Sequence, residues 1–495
     1  MGLATSLAAC TVGPDFSPPQ SPRVPSATQS SAEATLSNAG TMNARWWASY
    51  GDPVLDTIEE RVLANNLNLA EASTRIGRAR AELRIAGALG LPRAGGAASY
   101  QRERASPKGI VALTGAGSPP ANAAGGADPL GTATLPGESV SPEFDLFQAG
   151  FDANWELDLW GKARRSREAA RANAQAARFE RDAMRISLSA EVARTYVLMR
   201  SAEARLAILH ENRKAVAAVR QIANQRYNHG ASTRFDPATA ATQVAAIDGM
   251  LPAAEREVAA TRNALALLAG EEPHALDAVL ASGSMAIFDH EIVLPGPLPS
   301  DLARSRPDIK AVEAALHAAT ARIGVAKADF YPSISLSGSA GLQSLSLDNL
   351  PIWDARQFVV GPILYLPVFE GGRLKGRLEL ARADEQAAAI RYRATVLRAW
   401  HEIDDALDSV RTTEAQLVAA KEGVAQSRVA AHISVRRYRA GATSYVDVLV
   451  AERARLESEA RWVTARADRA IAVAALYKAL GGGWAAPNAD RVSGA

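Results

Sequence analysis

The sequence predicts a mainly α-helical, internally duplicated chain with a β portion of the kind that crosses a membrane as part of a barrel. Three observations predict it. The chain matches itself at a fixed offset over a long stretch. Two segments alternate apolar and polar side chains for about ten residues, the length of a tilted membrane strand, though alternation alone equally fits a soluble sheet with one wet face. Two very long segments carry apolar residues at heptad spacing, which demands a neighbouring helix packed alongside.

The bulk composition fits this. The 495 residues carry a formal net charge of +2, too little for a general nucleic-acid binder, which needs a basic face to neutralise phosphates. Aromatics make up 6% and alanine is abundant, a composition suited to closely packed helices. No uninterrupted apolar run of about 18 residues marks a transmembrane helix. The single cysteine, Cys10, rules out an intrachain disulfide. It ends the small apolar run Leu7-Ala8-Ala9-Cys10, the pattern at which a bacterial lipoprotein is cleaved and its thiol joined to diacylglycerol. Cys10 is therefore expected to carry covalent lipid, with residues 1–9 as the truncated remainder of a signal peptide. Residues 10–45, rich in Pro, Ser, Ala and Thr, read as a lipidated, extended tether.

Trp46-Trp47 open the ordered region, and Asp52-Pro53 supply an N-cap and a first-turn proline. Leu55, Ile58, Val62 and Leu69 lie at helical spacing in a run from Val54 to about Gly90. The period then changes. Phe151, Ala153, Trp155, Leu157 and Leu159 alternate with Asp152, Asn154, Glu156 and Asp158; Ile334, Leu336, Ala340 and Leu342 alternate with Ser333, Ser335, Ser337 and Ser339. Residues 94–104 and 357–369 read as their hairpin partners, and residues 105–142, dense in Gly, Ala and Pro, as a long exposed loop. Tyr100, Phe147, Trp160, Tyr331, Trp353 and Tyr365 fall near strand ends, as interface aromatics do.

Shifted by 211 residues, Tyr227 meets Tyr438, Gly230 meets Gly441, Asp236 meets Asp447, Glu191 meets Glu402 and Gly270 meets Gly481; upstream of the first loop the offset is 240, with Leu69 meeting Ile309. Two repeats follow. The first, 46–270, runs helix, β-hairpin (about 94–160), long helix, tip turn (226–236), helix. A linker covers 271–300. The second, 301–482, repeats the order with its hairpin at about 333–369 and tip turn at 437–447, before a flexible tail at 483–495. The long helices carry the seams Leu188, Val192, Thr195, Met199 and Ala399, Ile403, Ala406, Val410. About four strands per chain cannot close a barrel, and an open edge in lipid leaves backbone groups unpaired. Copies must share one barrel: two would give about 8 strands and a filled interior, three about 12 and a pore.

The segments Trp46-Trp47 with Tyr50-Gly51-Asp52-Pro53, Asn66-Leu67-Asn68-Leu69-Ala70, Leu298-Pro299-Ser300-Asp301-Leu302 with Arg306-Pro307-Asp308-Ile309, Phe330-Tyr331-Pro332, and Arg437-Tyr438-Arg439-Ala440-Gly441 leading to Asp447-Val448-Leu449 carry a resemblance. With Cys10, they are similar to the outer-membrane factor family, the TolC/OprM/NodT type of efflux lipoprotein, from residue 10 to about 483. The resemblance implies a TolC-like fold: a homotrimer with a 12-stranded β-barrel continued by a 12-helix periplasmic α-barrel. It implies an outer-membrane efflux channel for small molecules that extends into the periplasm. The implied partners are outer-membrane lipid, a periplasmic membrane-fusion adaptor and an inner-membrane pump of the resistance-nodulation-division (RND) type. By the same match, Asp236 and Asp447 are the periplasmic gate carboxylates, while Tyr227, Gly230, Ala231, Tyr438, Gly441 and Ala442 form adaptor-docking tips. Thr443 and Val450 stand where some relatives have a gate arginine and a second acid.

Two rival functions are weighed. The outer-membrane component of a type I protein secretion system shares this fold, and a non-channel periplasmic coiled-coil adaptor lipoprotein explains the helices and Cys10 but not the hairpins. Nothing in the chain suggests an enzyme or a cofactor other than the covalent lipid. His401-Glu402-Ile403-Asp404-Asp405 lacks the second histidine of a zinc-protease helix.

Overall fold

The computed structural model describes residues 11–19, 45–104, 143–282 and 306–482. Cys10, the tether beyond Pro19, the loop 105–142, most of the linker and the tail lie outside the described residues. In chain order the elements are α1 (Pro53–Asn65), α2 (Leu67–Ala88), β1 (Arg93–Arg104), β2 (Glu143–Leu157), α3 (Lys162–Asn228), α4 (Phe235–Leu268), α5 (Asp277–Ala281), α6 (Pro307–Ala328), β3 (Ser333–Ser344), β4 (Arg356–Tyr365), α7 (Arg373–Arg439) and α8 (Tyr445–Ala479). The duplication shows in the lengths: α2 and α6 have 22 residues each, α3 and α7 have 67 each, and α4 and α8 have 34 and 35.

The chain divides into two units. The first draws on Met1–Asp15, Ala81–Ala170 and Thr320–Ala383. It holds an antiparallel four-stranded sheet in the order β1-β2-β3-β4. The register pairs Gly96 with Phe151, Phe151 with Ala340, and Ala340 with Phe358. Side chains alternate across a strand, so this register sorts the sheet into two faces. One carries Phe151, Trp155, Leu336, Phe358, Val360 and Leu364, all exposed in the single chain. The other carries Asp152, Asn154, Glu156, Ser335, Ser337 and Ser339. On β2 the apolar face runs from Leu157 to Phe147, whose ring packs 4.9 Å from Tyr100, and beyond it Arg102 pairs with Glu143 and Asp145. Ten residues at about 3.3 Å, tilted about 40°, span about 25 Å, the height of the apolar band on a membrane barrel. Asp158 and Leu159 fall outside the strand. Asp158 instead accepts bonds from the Ala163 and Arg164 amides at 2.9 Å and starts α3, because a free first-turn amide needs an acceptor there. β4 likewise ends at Tyr365, four residues before the expected boundary.

Thr11–Asp15, read from composition as part of an extended tether, is held within this unit. The Val12 amide donates to the Trp160 carbonyl at 3.1 Å, and Asp15 pairs with the buried Arg165.

The second unit comprises Phe16–Arg80, Arg171–Ala319 and Asp384–Ala495. Its core gathers Trp46, Trp47, Tyr50, Leu55, Ile58 and Val62 against the heptad positions Val192, Met199, Ala399, Ile403 and Val410. Trp46 stacks on Tyr477 at 5.0 Å. The single helix expected from Val54 to Gly90 breaks at Asn66. The Asn66 side chain accepts from the Leu69 amide at 3.0 Å, capping α2, and donates to the Leu268 carbonyl at 2.8 Å. Its counterpart in the second repeat is Arg306, which donates to the Ala479 carbonyl at 2.7 Å. Both side chains tie the start of one helix to the C-terminal end of the last helix of the same repeat.

Candidate functional site

The two tip turns have the same backbone and different side-chain roles. At the first, α3 ends with the Gly230 amide donating to the Tyr227 carbonyl at 3.0 Å and the Ala231 amide to the Arg226 carbonyl at 2.7 Å. At the second, Gly441 donates to Tyr438 at 3.0 Å and Ala442 to Arg437 at 2.8 Å. This is the Schellman pattern, and it requires the left-handed φ of +72° at Gly230 and +77° at Gly441.

The restarts then diverge. Asp447 is the third residue of α8 and closes a capping box with Ser444. Its carboxylate accepts from the Thr443 hydroxyl and from the Ser444 hydroxyl at 2.8 Å. Those bonds, Thr443 first, hold its carboxyl below the usual range. Asp236, its repeat partner, accepts instead from the Tyr438 hydroxyl at 3.0 Å. Burial first, and Asp236 second, push the Tyr438 hydroxyl far above its ordinary value, so at physiological pH it is a donor.

Tyr438 is thus the centre of the site. It is 1% exposed, so its side chain has no surface to offer a docking partner, unlike Tyr227, which is 44% exposed. Arg226 completes the arrangement. Its guanidinium lies 4.9 Å from the Tyr438 ring centre and donates to the Tyr438 carbonyl at 2.6 Å and to Ala231 at 3.3 Å. Val219, Ala240, Tyr445 and Val448 pack around the ring. Arg234, Arg437 and Arg439 also lie in the tip turns. None of them makes a described ion pair with Asp236 or Asp447. The cation that binds the two tips together is Arg226, and a sequence signal existed: it precedes Tyr227, as Arg437 precedes Tyr438.

The model of the family "Outer membrane efflux protein" matches residues 59–271 and 298–482. The chain belongs to the outer membrane efflux protein family. The pyoverdine export outer membrane protein OpmQ of Pseudomonas putida is 31% identical over 99% of this chain and 98% of its own length. Nodulation protein T of Rhizobium leguminosarum is 30% identical over 98% and 93%. Among solved structures, the outer-membrane channel OprN superposes with a TM-score of 0.83 at 29% identity, covering 96% of this chain and 99% of that one. The MtrE outer membrane channel of Neisseria gonorrhoeae, in its open state, gives 0.78 at 27%, covering 96% and 98%. The fold is TolC-like, the location is the outer membrane, and the function is efflux. Membership of the outer membrane efflux protein family sets aside the coiled-coil adaptor alternative.

Proposed function

We propose that three copies close their sheets into one 12-stranded barrel, continued by a 12-helix barrel whose periplasmic mouth is shut by the two tips of each chain. The observation that carries this reading is the pair of free sheet edges. β1 has no partner beyond β2 and β4 none beyond β3 among the described residues, and lipid cannot satisfy their backbone groups. The duct takes small molecules from an RND-type inner-membrane pump through a periplasmic adaptor that meets the exposed tip surface, of which Tyr227, Gly230, Ala231, Gly441 and Ala442 are part. Lipid on Cys10 adds a second hold on the membrane; Cys10→Ser is expected to incorporate no labelled palmitate, and retained label rejects the anchor.

The Tyr438–Asp236 bond, with Arg226 across the ring, acts as the clamp that keeps the two tips of one chain together in the closed mouth. A hydrogen bond to a carboxylate contributes about 1.5–3 kcal/mol, enough to change a closed-to-open ratio by roughly ten- to a hundredfold. Tyr438→Phe is therefore expected to raise open-state occupancy in planar bilayers at least about tenfold. Gating indistinguishable from wild type would remove Tyr438 from the closing mechanism.

A further inference from the structure

We infer that a second copy of this chain seats on the corner where α2 begins and α4 ends, meeting it with Ile390 and Leu397 of its own α7. The inference rests on the proposed closure and names where the helical part of that closure is made.

The duplicated chain makes this contact once, within itself. In the second repeat the corner consists of the start of α6 and the residues that follow α8, and α3 lies on it. The Lys310 ammonium of α6 stands 5.9 Å from the Phe179 ring centre. A methyl group on Gly482 would come within 3.0 Å of the Ile186 side chain. Both sides are covered as a result: Ile186 is 9% exposed, and Pro307, Gly481 and Gly482 are buried.

Both halves recur at the repeat-related positions, and there both are bare. The offset of 211 puts Ile390 in the place of Phe179, Leu397 in that of Ile186 and Gly270 in that of Gly481; the offset of 240 puts Leu67 in the place of Pro307 and Ala70 in that of Lys310. Ile390 is 62% exposed, Leu397 46% and Leu67 72%, and Ala70 and Gly270 are exposed as well. The bare corner is also the more apolar of the two, with Ala70 where the covered corner has Lys310 and Leu67 where it has Pro307. Water would favour the reverse, so an apolar corner left open marks a surface made for a protein partner. The partner that carries the matching stripe is the chain itself.

Connectivity and length agree with this pairing. α2 leads into β1 and α7 leaves β4, the two free edges of the sheet. A copy that adds its β4 to a β1 edge therefore brings its α7 beside the α2 that precedes that edge. At 1.5 Å per residue, Ile390 lies about 26 Å past the first residue of α7, and Ala70 about 27 Å before the last residue of α2. Leu397, one heptad further along the same face, lies about 36 Å down, and Leu67 about 32 Å. Corner and stripe sit on different elements and complement each other, not themselves. The contact is heterologous and runs head to tail, as a closed ring requires.

The test is thiol cross-linking of the full chain in membranes with a short bismaleimide, with wild type, which has Cys10 alone, as the background. Ala70→Cys with Ile390→Cys, and Glu271→Cys with Leu397→Cys, should each give covalent dimers and trimers on denaturing gels, while each single variant gives monomer. Leu67 is exposed in the single chain, so Leu67→Arg leaves the protomer fold intact; it should lower the share of trimer in detergent at least about tenfold, and adding Leu397→Glu should restore most of it. No cross-link from either pair, in protein that still runs as a trimer, overturns the corner contact alone. Cross-linking by a single variant overturns it too, because like positions would then meet. Wild type that stays monomeric in detergent removes the closure itself, a different failure.

Discussion

At Glu59 a carboxyl group has no exposed surface at all. It lies on α1, in a core of Trp, Tyr, Leu and Val side chains. Burial is the largest influence on it and pushes its pKa well above the usual range; Asp56 pushes the same way, while the nearby Ser189 hydroxyl and the charge of Arg185 pull back. The sign of the linkage follows. A folded-state pKa above the unfolded one means the fold binds the proton more tightly. That contribution is fully present below the ordinary value of 4.5 and is lost as pH rises through the folded value. Glutamine has the same shape and no charge at any pH, so Glu59→Gln removes the loss. The variant is expected to unfold about 2–4 °C higher than wild type at pH 8 in detergent, with the gap closing toward pH 4. Thermal melts monitored by circular dichroism at both pH values check this. A variant that melts lower at pH 8 would mean that Glu59 is charged and paired in the fold.

Among the elements, what the sequence made legible was whatever depends on period. The two faces of the sheet, the heptad seams and the order of elements within each repeat were readable because burial imposes spacings of 2 and 3.5 residues directly on residue type. What escaped was set by single side chains acting across long separations. Asn66 looked like one more helical residue, yet it breaks the helix by reaching the carbonyl of Leu268, 202 positions away. Asp158 kept the strand alternation in step while capping a helix. At the tips, Tyr227 and Tyr438 occupy matching positions in the two repeats, and only tertiary packing makes one a surface residue and the other the core of the clamp. The glycines show the same division. The positive φ at Gly230 and at Gly270 could be anticipated from their places at helix ends. That a methyl group on Gly270 would come 2.7 Å from the Asn65 carbonyl oxygen, while the space beside Gly230 is open, could not. The first glycine is required by packing as well as by backbone strain, the second by strain alone.

For the whole molecule, the decisive property is that a single chain is incomplete. An antiparallel sheet of four strands leaves β1 and β4 as edges, and in the order β1-β2-β3-β4 a β4 edge can meet the β1 edge of another copy in antiparallel fashion. Such a join must also respect the faces. Val360 lies on the apolar face with Ala94, Gly96 and Ala98 of β1, whereas Gly95, Ala97 and Ser99 lie on the polar one. A slip of one residue would put polar side chains in lipid along the whole seam. Cysteines placed at Val360 and, one at a time, at residues 94 to 99 are therefore expected to cross-link with a period of two. The even-numbered positions should react between chains and the odd ones should not. Because the edges join head to tail around a closed ring, the cross-linked product should end at a trimer on denaturing gels, with no longer ladder. Cross-linking at odd positions would reverse the assignment of the faces. A ladder running past three copies would show that the edges propagate without closing, and the tube would have to be abandoned.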